Sequence, residues 1–433
     1  MGIGRRKKRL MRRRKSLAVL AAAALLLTAC AKGSQTHGSS GDTLSLNGDR
    51  ADFVPAYKAA GEELKKLTGR GIEPRNVPST ENYEQVIRSS LQTSSVTDII
   101  KWWSGYRLQD LARGGGLANL DAQWDTAVKN GWVSDDTKAS FSSDGHVYAI
   151  PMYKSYWVIY YNKHIYADLG LSVPTTWDQF LGNAQKIKAS GVTPFFATQE
   201  AGWTAFIWFG ELLSKLDPDF YRKLVNGDAK YTDEPARKAM GIWSDLYARG
   251  FFTPPDTPWD NEPAMFKAGK VAMVPMGTWR NAIFSQNGLT DADYGAFVMP
   301  TITPNTKTSV IVESGVFAVP THGSNVEAAE KAMGEWLNPQ VQRTWVNQIN
   351  DISANPQVGI TNPILTAVNT QVQQLKPAPL ERYWEASPPA LVEGNVQDLA
   401  AFMVAPRPAN IDPTLRKMQQ RADDEWAKWR KRS

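Results

Sequence analysis

The sequence is poor in cysteine, and its body carries no excess of positive charge. Cys30 is the single cysteine among 433 residues, which excludes an intrachain disulfide and a zinc or iron–sulfur site built on several cysteines of one chain. The net charge of +6 comes from residues 1–29, which hold nine basic side chains and no acidic one. The rest of the chain has 40 basic against 43 acidic residues. A nucleic-acid-binding protein keeps a basic body, so nucleic acid is not the expected partner.

Long apolar segments and histidine are also scarce. The apolar stretch at residues 17–29 has thirteen residues, whereas a membrane-spanning helix needs about 20. Neither an HExxH zinc motif nor a GxSxG nucleophile motif occurs, so hydrolases of these two types are not indicated. The four histidines have no common motif; they are His37, His146, His164 and His322.

The N-terminal segment combines a basic stretch at residues 5–15, the apolar stretch and then Cys30, which is typical of a secretory signal. Residues 27–30 (LTAC) resemble a bacterial lipobox, in which cleavage precedes the cysteine and its sulfur receives a lipid. A buried or incidental cysteine behind an ordinary leader is the alternative. The small polar residues that follow, up to Asp42, predict a flexible tether. The resemblance therefore implies a body held by a lipid at the outer face of a membrane.

Strand-like and helix-like patterns alternate in the body. A helical pattern at residues 54–67 lies between the strand-like segments 43–46 and 98–100. Strand, helix and strand in this order predict an α/β fold with a mainly parallel sheet. Ligands of such sheets bind beyond the carboxyl ends of the strands, where residues 47–50 and 102–105 are expected.

Sixteen tryptophans are many for this length, and four of them follow strand-like runs directly. Packing at the rim of the core would explain any one of them, but four equivalent positions predict a shared cleft. An indole offers a flat apolar face on which the C–H patches of a sugar can stack, and charged side chains can bind the sugar hydroxyls. A cationic amine is the alternative ligand. The candidates are Trp102, Trp103, Trp203 and Trp279, with Asp49, Arg50, Glu200 and Glu313 as polar partners.

Three segments of the body resemble the extracellular solute-binding proteins of the sugar-binding type, which are the receptors of ABC importers. They lie at residues 144–178 (with DGHVYAIP, YYNK and PTTWD), 266–279 (FKAGKVAM and GTW) and 314–337 (SGVFAVP and WL). The resemblance covers nearly all of residues 43–425. It implies a periplasmic-binding-protein-like α/β fold of two lobes, each a mostly parallel sheet flanked by helices, joined by a hinge of three crossings.

The resemblance also implies how the chain is divided. The three crossings between the lobes are expected near Met152, Glu313 and Ile352. The expected parts are a lipoprotein signal peptide at 1–29, the lipidated Cys30 and tether at 30–42, lobe one at 43–152 and 314–352, lobe two at 153–313 and 353–425, and a basic tail at 426–433.

The maltose-binding members of this family imply which residues touch the ligand. Ser155 stands where the family has a hinge-side glutamate, so maltose itself is not the expected ligand. The implied contacts are Asp49 and Arg50 on sugar hydroxyls, Trp102 or Trp103 after the second strand, the pair Glu200 and Trp203 in lobe two, Trp279 as a stacking residue, and Trp384 as a C-terminal platform with Tyr383 as the alternative.

The sequence therefore predicts a lipid-anchored receptor that captures an oligosaccharide by lobe closure and delivers it to the permease subunits of an ABC importer. It is expected to be a monomer at the outer face of the cytoplasmic membrane, with no catalytic residue, metal or cofactor. The leader and the abundance of alanine and tryptophan indicate a Gram-positive, actinobacterial source. A secreted glycoside hydrolase is the rival class, although no pattern pairs Glu200 with Glu313 as its two carboxylates. The same fold with a polyamine or a glycerophosphodiester as ligand is the other alternative.

Overall fold

The computed structural model describes residues 41–432, without the side chain of residue 432, and shows two lobes that are each organised around a β-sheet. The signal peptide, Cys30 and most of the tether lie outside the described residues. The strands are β1 (Thr43–Gly48), β2 (Gly71–Asn76), β3 (Ile99–Trp103), β4 (Ser142–Ser143), β5 (His146–Val147), β6 (Ile150–Pro151), β7 (Ser155–Asn162), β8 (Thr193–Phe195), β9 (Val271–Gly277), β10 (Tyr294–Phe297), β11 (Ser309–Glu313), β12 (Gly315–Ala318) and β13 (Ala378–Glu381).

Helices cover the faces of both sheets. Within residues 41–432, no helix is both long enough and apolar enough to span a bilayer. The helices are α1 (Val54–Thr68), α2 (Thr80–Ser90), α3 (Gly105–Arg113), α4 (Asp121–Lys129), α5 (Lys163–Asp168), α6 (Trp177–Ala189), α7 (Phe206–Leu216), α8 (Pro218–Val225), α9 (Glu234–Ala248), α10 (Glu262–Lys267), α11 (Asn281–Gln286), α12 (Val326–Trp336), α13 (Pro339–Ile349), α14 (Pro363–Leu375), α15 (Pro389–Val404) and α16 (Ile411–Arg432).

The two sheets have the strand orders β2-β1-β3-β12-β6 and β13-β11-β7-β9-β8, with β10 beside β7 in the second. Parallel pairs are β1 with β2 and β3, β13 with β11, and β8 with β9. The remaining pairs of these sheets, which all involve β12 or β7, are antiparallel. Both sheets are thus mixed, because β7 and β12 begin straight after a crossing instead of returning over a helix, as parallel neighbours must.

Three crossings connect the lobes. The chain leaves the first sheet after Pro151 and enters the second at Ser155, returns between β11 and β12 at Ser314, and crosses again after α13. The crossings lie side by side, because the N–H of Met152 donates to the carbonyl of Gly315 (2.8 Å) and the N–H of Lys154 to that of Ile352 (2.9 Å). We call residues 152–154, 314 and 350–353 the hinge.

Local signals in the sequence set the ends of the elements. Helix α1 ends at Gly69, whose φ of 85° lies in the left-handed region that glycine adopts without steric cost. Its N–H donates to the carbonyl of Lys65 at 2.9 Å. Helix α6 begins behind Thr176, whose hydroxyl accepts a hydrogen bond from the N–H of Gln179 at 3.2 Å. The caps fix where each helix begins or ends, and the chain then turns back to the next strand. The loops that follow the strands therefore come to lie between the lobes.

The prediction of a basic tail at residues 426–433 is wrong for the part of this segment that the structure describes. Residues 426–432 form the last turns of α16, and Trp426 and Trp429 are each only 7% exposed. Their rings lie edge-on to Tyr106 of α3, with ring centroids 5.4 and 5.3 Å away. The two indoles are three positions apart and therefore share one helix face. This face packs against lobe one, whereas Lys428, Arg430 and Lys431 are exposed.

Candidate functional site

A cavity of about 770 Å³, which we call the cleft, opens between the two lobes beside the hinge. Its walls are loops that follow strands of both sheets, together with the start of α2. The residues that line it are 49–52 after β1, 76 and 78–81 at the end of β2 and beyond it, 101 and 103 in β3, 153 in the hinge, 200–203 after β8, 259–260 before α10, 279–280 after β9, 283 in α11, 313 and 315 beside the hinge, and 382 and 384 after β13.

Aromatic side chains from both lobes form much of the cleft wall. In lobe two, the ring of Trp203 lies edge-on to Trp259 at 5.4 Å and is tilted against Trp279 at 6.5 Å. Three tryptophans from three separate loops therefore meet at one end of the cleft. The aromatic lining consists of Trp103, Tyr153, Trp203, Trp259, Trp279 and Trp384.

Arg50 and Trp279 meet across the cleft. The guanidinium carbon of Arg50 lies 4.3 Å from the ring centroid of Trp279 and 3.9 Å from that of Phe53. Nε of Arg50 also donates to Oδ1 of Asp52 at 3.1 Å. Cation–π attraction and the ion pair hold the guanidinium between a lobe-one loop and a lobe-two indole. Arg50 thereby connects the two walls of the site.

Asp49 and Lys101 form a buried ion pair in the lobe-one wall. Nζ of Lys101 lies 3.0 Å from Oδ2 of Asp49 and 3.7 Å from the ring centroid of Trp103. Burial lowers the pKa of Lys101, and the charge of Asp49 opposes this effect. The other carboxylate oxygen, Oδ1 of Asp49, is buried without a hydrogen-bond partner among the described residues. It is an acceptor that a ligand hydroxyl or ammonium in the cleft can satisfy.

Arg382 connects the hinge-side wall with the C-terminal segment. Its guanidinium forms ion pairs with Glu313, the last residue of β11, and with Glu385, whose Oε2 accepts from Nε at 2.7 Å. Burial raises the pKa of Glu313, while Arg382 lowers it and Glu385 adds to the rise. Two buried carboxylates thus share one guanidinium at the base of the cleft.

The ring of Trp384 is held in place from behind by Arg107. The guanidinium carbon of Arg107 lies 3.6 Å from the ring centroid, and its Nε donates to the Trp384 carbonyl at 3.1 Å. Phe206 stacks on the same indole at 6.1 Å with an interplanar angle of 19°. Arg107 is fully buried and pairs with Glu84 at 2.7 Å. Trp384 is therefore a rigid platform whose orientation is set by both lobes.

The outer end of the cleft combines Trp259 with carboxylates. Oε2 of Glu200 accepts a hydrogen bond from the backbone N–H of Trp259 at 3.0 Å. The guanidinium carbon of Arg280 lies 4.4 Å from the Trp259 ring centroid, and Nε of Arg280 donates to the buried Glu262 at 2.7 Å. Asp260 and, from lobe one, Glu81 line the same cleft.

A hydrogen-bond network at the hinge reaches the backbone of Trp279. Oδ1 of Asp351 accepts from the hydroxyl of Thr278 (2.6 Å) and from the N–H of Ile352 (2.9 Å). The Thr278 hydroxyl also lies 2.9 Å from Oγ of Ser155, and that Oγ accepts from the N–H of Trp279 at 3.1 Å. Burial raises the pKa of Asp351 to about 8. Ser155, expected where the family has a sugar-contacting glutamate, is instead buried and positions Trp279.

The structure brings eight of the nine ligand-binding residues named in the sequence analysis into the cleft lining, and Trp102 is the exception. Trp102 is fully buried, and its Nε1 donates to the carbonyl of Arg107 at 3.0 Å. Successive strand residues face opposite sides of a sheet, so Trp103 reaches the cleft and Trp102 does not. The alternative platform Tyr383 is also buried, with its hydroxyl bonded to Tyr231 and Asn395. The eight are Asp49, Arg50, Trp103, Glu200, Trp203, Glu313, Trp279 and Trp384.

Sequence reasoning missed several residues of the lining. Lys101 lies two positions before Trp103 on the same side of β3, so strand alternation was a usable signal. Trp259 and Arg382 do not follow a recognisable strand-like run, and no pattern pointed to them. Within residues 41–432, no group of three or more histidine, cysteine, aspartate or glutamate residues is arranged to hold a metal ion. The chemistry on offer is therefore aromatic stacking together with charged hydrogen bonding.

The family described as "Bacterial extracellular solute-binding protein" matches residues 47–343. An uncharacterized ABC transporter extracellular-binding protein of Pyrococcus horikoshii is 26% identical over 266 residues, which is 59% of this chain and 57% of the relative. A probable sugar-binding periplasmic protein of Brucella suis is 28% identical over 277 residues, which is 60% of this chain and 63% of the relative. The chain thus spans less than two thirds of the length of these curated relatives.

Solved structures resemble the whole body. The bacterial solute receptor AcbH, described as having an exclusive preference for β-D-galactopyranose, has a TM-score of 0.81 at 21% identity and covers 89% of this chain and 99% of its own. A chitin oligosaccharide binding protein has a TM-score of 0.76 at 19% identity with the same coverage. The GacH receptor of Streptomyces glaucescens, solved unliganded and with acarbose, has a TM-score of 0.67 at 20% identity, covering 88% and 99%. At these identities the likeness establishes the two-lobed periplasmic-binding-protein fold.

Proposed function

This chain belongs to the bacterial extracellular solute-binding protein family, and from that premise we propose that it is the carbohydrate receptor of an ABC importer. The observation that carries the proposal is the cleft, where five tryptophans and a tyrosine from both lobes surround ion-paired side chains. Indole faces stack on the C–H patches of sugar rings, and charged side chains bind the hydroxyls at the ring edges. An apolar solute would leave the buried Oδ1 of Asp49 without a hydrogen-bond donor, and an inorganic ion would not use the indoles.

The size of the cleft fits an oligosaccharide. Its volume of about 770 Å³ lies in the upper part of the range of about 300–1,000 Å³ that is typical of small-molecule sites. The relative described as a sugar-binding periplasmic protein supports a carbohydrate ligand. Structural neighbours described with galactopyranose, chitin oligosaccharide and acarbose add to this support, although they differ in the sugar. The ligand class is therefore a saccharide of one to a few rings.

The proposed mechanism is reversible capture by closure of the hinge. Ligand contacts divide between the lobes, with Asp49 and Trp103 on one side and Trp203 and Trp279 on the other. A sugar that touches both walls stabilises the closed arrangement relative to the open one. The closed form is then presented to the permease subunits, and no covalent bond of the sugar is made or broken. The protein acts in this scheme as a binding protein without catalytic residue or cofactor.

We also propose that the body is a monomer tethered to the outer face of the cytoplasmic membrane. The support for the anchor is the sequence of the leader: residues 27–30 resemble a lipobox with Cys30 at the attachment position, and the residues from 31 to 42 are mostly small and polar, as in a flexible tether. Such an anchor suits a Gram-positive, actinobacterial cell, where the receptor has no outer membrane to retain it. The tether lets the body capture sugar and still reach its permease.

A thermal-shift screen with recovery of the sugar tests the proposal. The full chain, purified in detergent, is heated with members of a panel of mono- and oligosaccharides, spermidine and glycerophosphodiesters. A ligand that binds only the native state raises the melting temperature. The proposal expects a shift with a saccharide that chromatography then recovers intact. Recovery of shortened sugar would favour a hydrolase, and a shift with spermidine or a phosphodiester alone would replace the substrate class.

A further inference from the structure

The cleft has an uneven charge distribution, and this feature narrows the ligand class if the proposed function holds. Six carboxylates but four cations line it. Each of these four cations is in an ion pair with a carboxylate: Arg50 with Asp52, Lys101 with Asp49, Arg280 with Glu262, and Arg382 with Glu313 and Glu385.

Three lining carboxylates remain without a basic partner among the described residues: Glu81, Glu200 and Asp260. Glu200 accepts a hydrogen bond from the Trp259 backbone, and Asp260 is the next residue along the chain. Glu81 comes from lobe one, and its Oε1 lies 3.3 Å from the position that a Cβ would take on Gly202. Glu81 of lobe one thus lies beside the lobe-two loop that carries Glu200, and Glu200 is bonded to the residue that precedes Asp260.

A fourth acceptor points to a ligand independently. The side chain of Asp49 is only 7% exposed, and its Oδ1 has no hydrogen-bond partner among the described residues. A buried carboxylate oxygen without a partner costs free energy, which a donor on the ligand recovers. This oxygen of the cleft therefore calls for a hydrogen-bond donor on the ligand.

The aromatic residues beside these carboxylates fit the same chemistry. Trp203 and Trp259 meet edge-on at 5.4 Å next to Glu200. Arg280 already lies over the Trp259 ring, whereas no cation of the described residues lies over Trp203. An ammonium group on a sugar ring can lie near carboxylates while the ring itself stacks on an indole. A neutral sugar would use the indole and leave the charges uncompensated.

We propose that the cleft recognises a saccharide that carries a protonated amino group, and that this ammonium binds among Glu81, Glu200 and Asp260. The inference rests on the proposed function and names its substrate class as amino sugars. Because the three carboxylates are exposed at the mouth of the cleft, their attraction for the ammonium falls with added salt. The contribution of stacking on the indoles does not fall with added salt.

Matched sugars that differ in one substituent test the proposal. Calorimetric titration of the full chain in detergent compares the β-1,4-linked glucosamine disaccharide with its N,N′-diacetyl form and with cellobiose, and galactosamine with galactose. We expect an amine-bearing member to bind at least tenfold more tightly than its neutral counterpart, which is about 1.4 kcal/mol. We also expect this preference to decrease when the salt concentration is raised from 50 to 500 mM.

Isosteric variants locate the ammonium. Glu81→Gln, Glu200→Gln and Asp260→Asn keep the shapes of the side chains and are each expected to reduce the amine preference at least threefold. Glu62→Gln, at an exposed position of α1 outside the cleft, is the matched control and is expected to leave the preference unchanged. Neutral sugars that bind as tightly as the amines would overturn the inference alone. Failure of every saccharide to bind would overturn the proposed function as well.

Discussion

Replacing Asp351 by asparagine removes a buried ionisable group from the hinge and keeps its shape. The amide oxygen can accept the two hydrogen bonds that Oδ1 of Asp351 accepts from Thr278 and Ile352. The other oxygen, Oδ2, is buried without a hydrogen-bond partner among the described residues. Burial is the main cause that raises the pKa of this carboxyl from 3.8 to about 8.

The direction and size of the effect follow from proton linkage. Between pH 4 and pH 8 the native protein keeps the proton of Asp351, whereas the unfolded chain has lost it. The stabilisation that Asp351 contributes to the native state is therefore complete below its ordinary pKa of 3.8 and is lost as the pH rises from there to about 8. One proton changes the unfolding free energy by about 1.4 kcal/mol per pH unit, which gives a loss of about 3–4 kcal/mol between pH 5 and pH 8.

Denaturant unfolding of wild type and Asp351→Asn at pH 5, 6, 7 and 8 measures this loss. Other buried carboxyls with raised pKa, such as Glu381, contribute equally to both proteins, so the difference between the two curves isolates Asp351. Between pH 5 and pH 8, we expect the unfolding free energy of Asp351→Asn to rise by about 3 kcal/mol relative to that of wild type. Asp260→Asn, at an exposed position, is the control and should run parallel to wild type. Parallel curves for Asp351→Asn would refute the reasoning.

Three further outcomes are expected. Trp279→Ala and Trp203→Ala should each weaken sugar binding by about 1–3 kcal/mol, as loss of a packed aromatic contact does, and unchanged calorimetric affinity in both would contradict the stacking role. Trp102→Phe should lower the melting temperature and leave sugar affinity within about twofold, because Trp102 lies in the core; a large affinity loss in a stable variant would contradict its placement. Cys30→Ser should move the protein from the membrane pellet to the supernatant, and continued sedimentation would disprove the lipid anchor.

The sequence was sufficient to predict the α/β architecture and most of the cleft, because the relevant residues follow strand ends. Trp203 and Trp279 could be found this way, since loops at the carboxyl ends of strands converge between the lobes. The pattern could not separate Trp102 from Trp103, because every residue of β3 is buried and each face of the strand carries a tryptophan. Which of the two tryptophans reaches the cleft depends on which face of β3 is covered by α3 and Arg107. Tertiary contacts decide this, and a local sequence pattern does not contain them.

Other errors have different physical causes. The charges of residues 426–433 predict a basic tail, but the helical spacing of Trp426 and Trp429 indicates a packed helix face. Trp259 and Arg382 were missed because long-range contacts bring their loops to the cleft. The ion pair of Arg382 with Glu313 joins residues 69 positions apart. Glu81, Glu200 and Asp260 at the outer end of the cleft can be recognised as carboxylates without a basic partner only when the ion pairs of the cations in the structure are known.

A crystal structure of the protein with the saccharide selected by the thermal-shift screen tests the central claim most directly. We expect the sugar between the lobes, with a ring against Trp279 or Trp384 and a donor within hydrogen-bond distance of Oδ1 of Asp49. Density for the sugar outside the cleft, for example in the groove behind the hinge that Lys154 and Tyr156 line, would contradict the account.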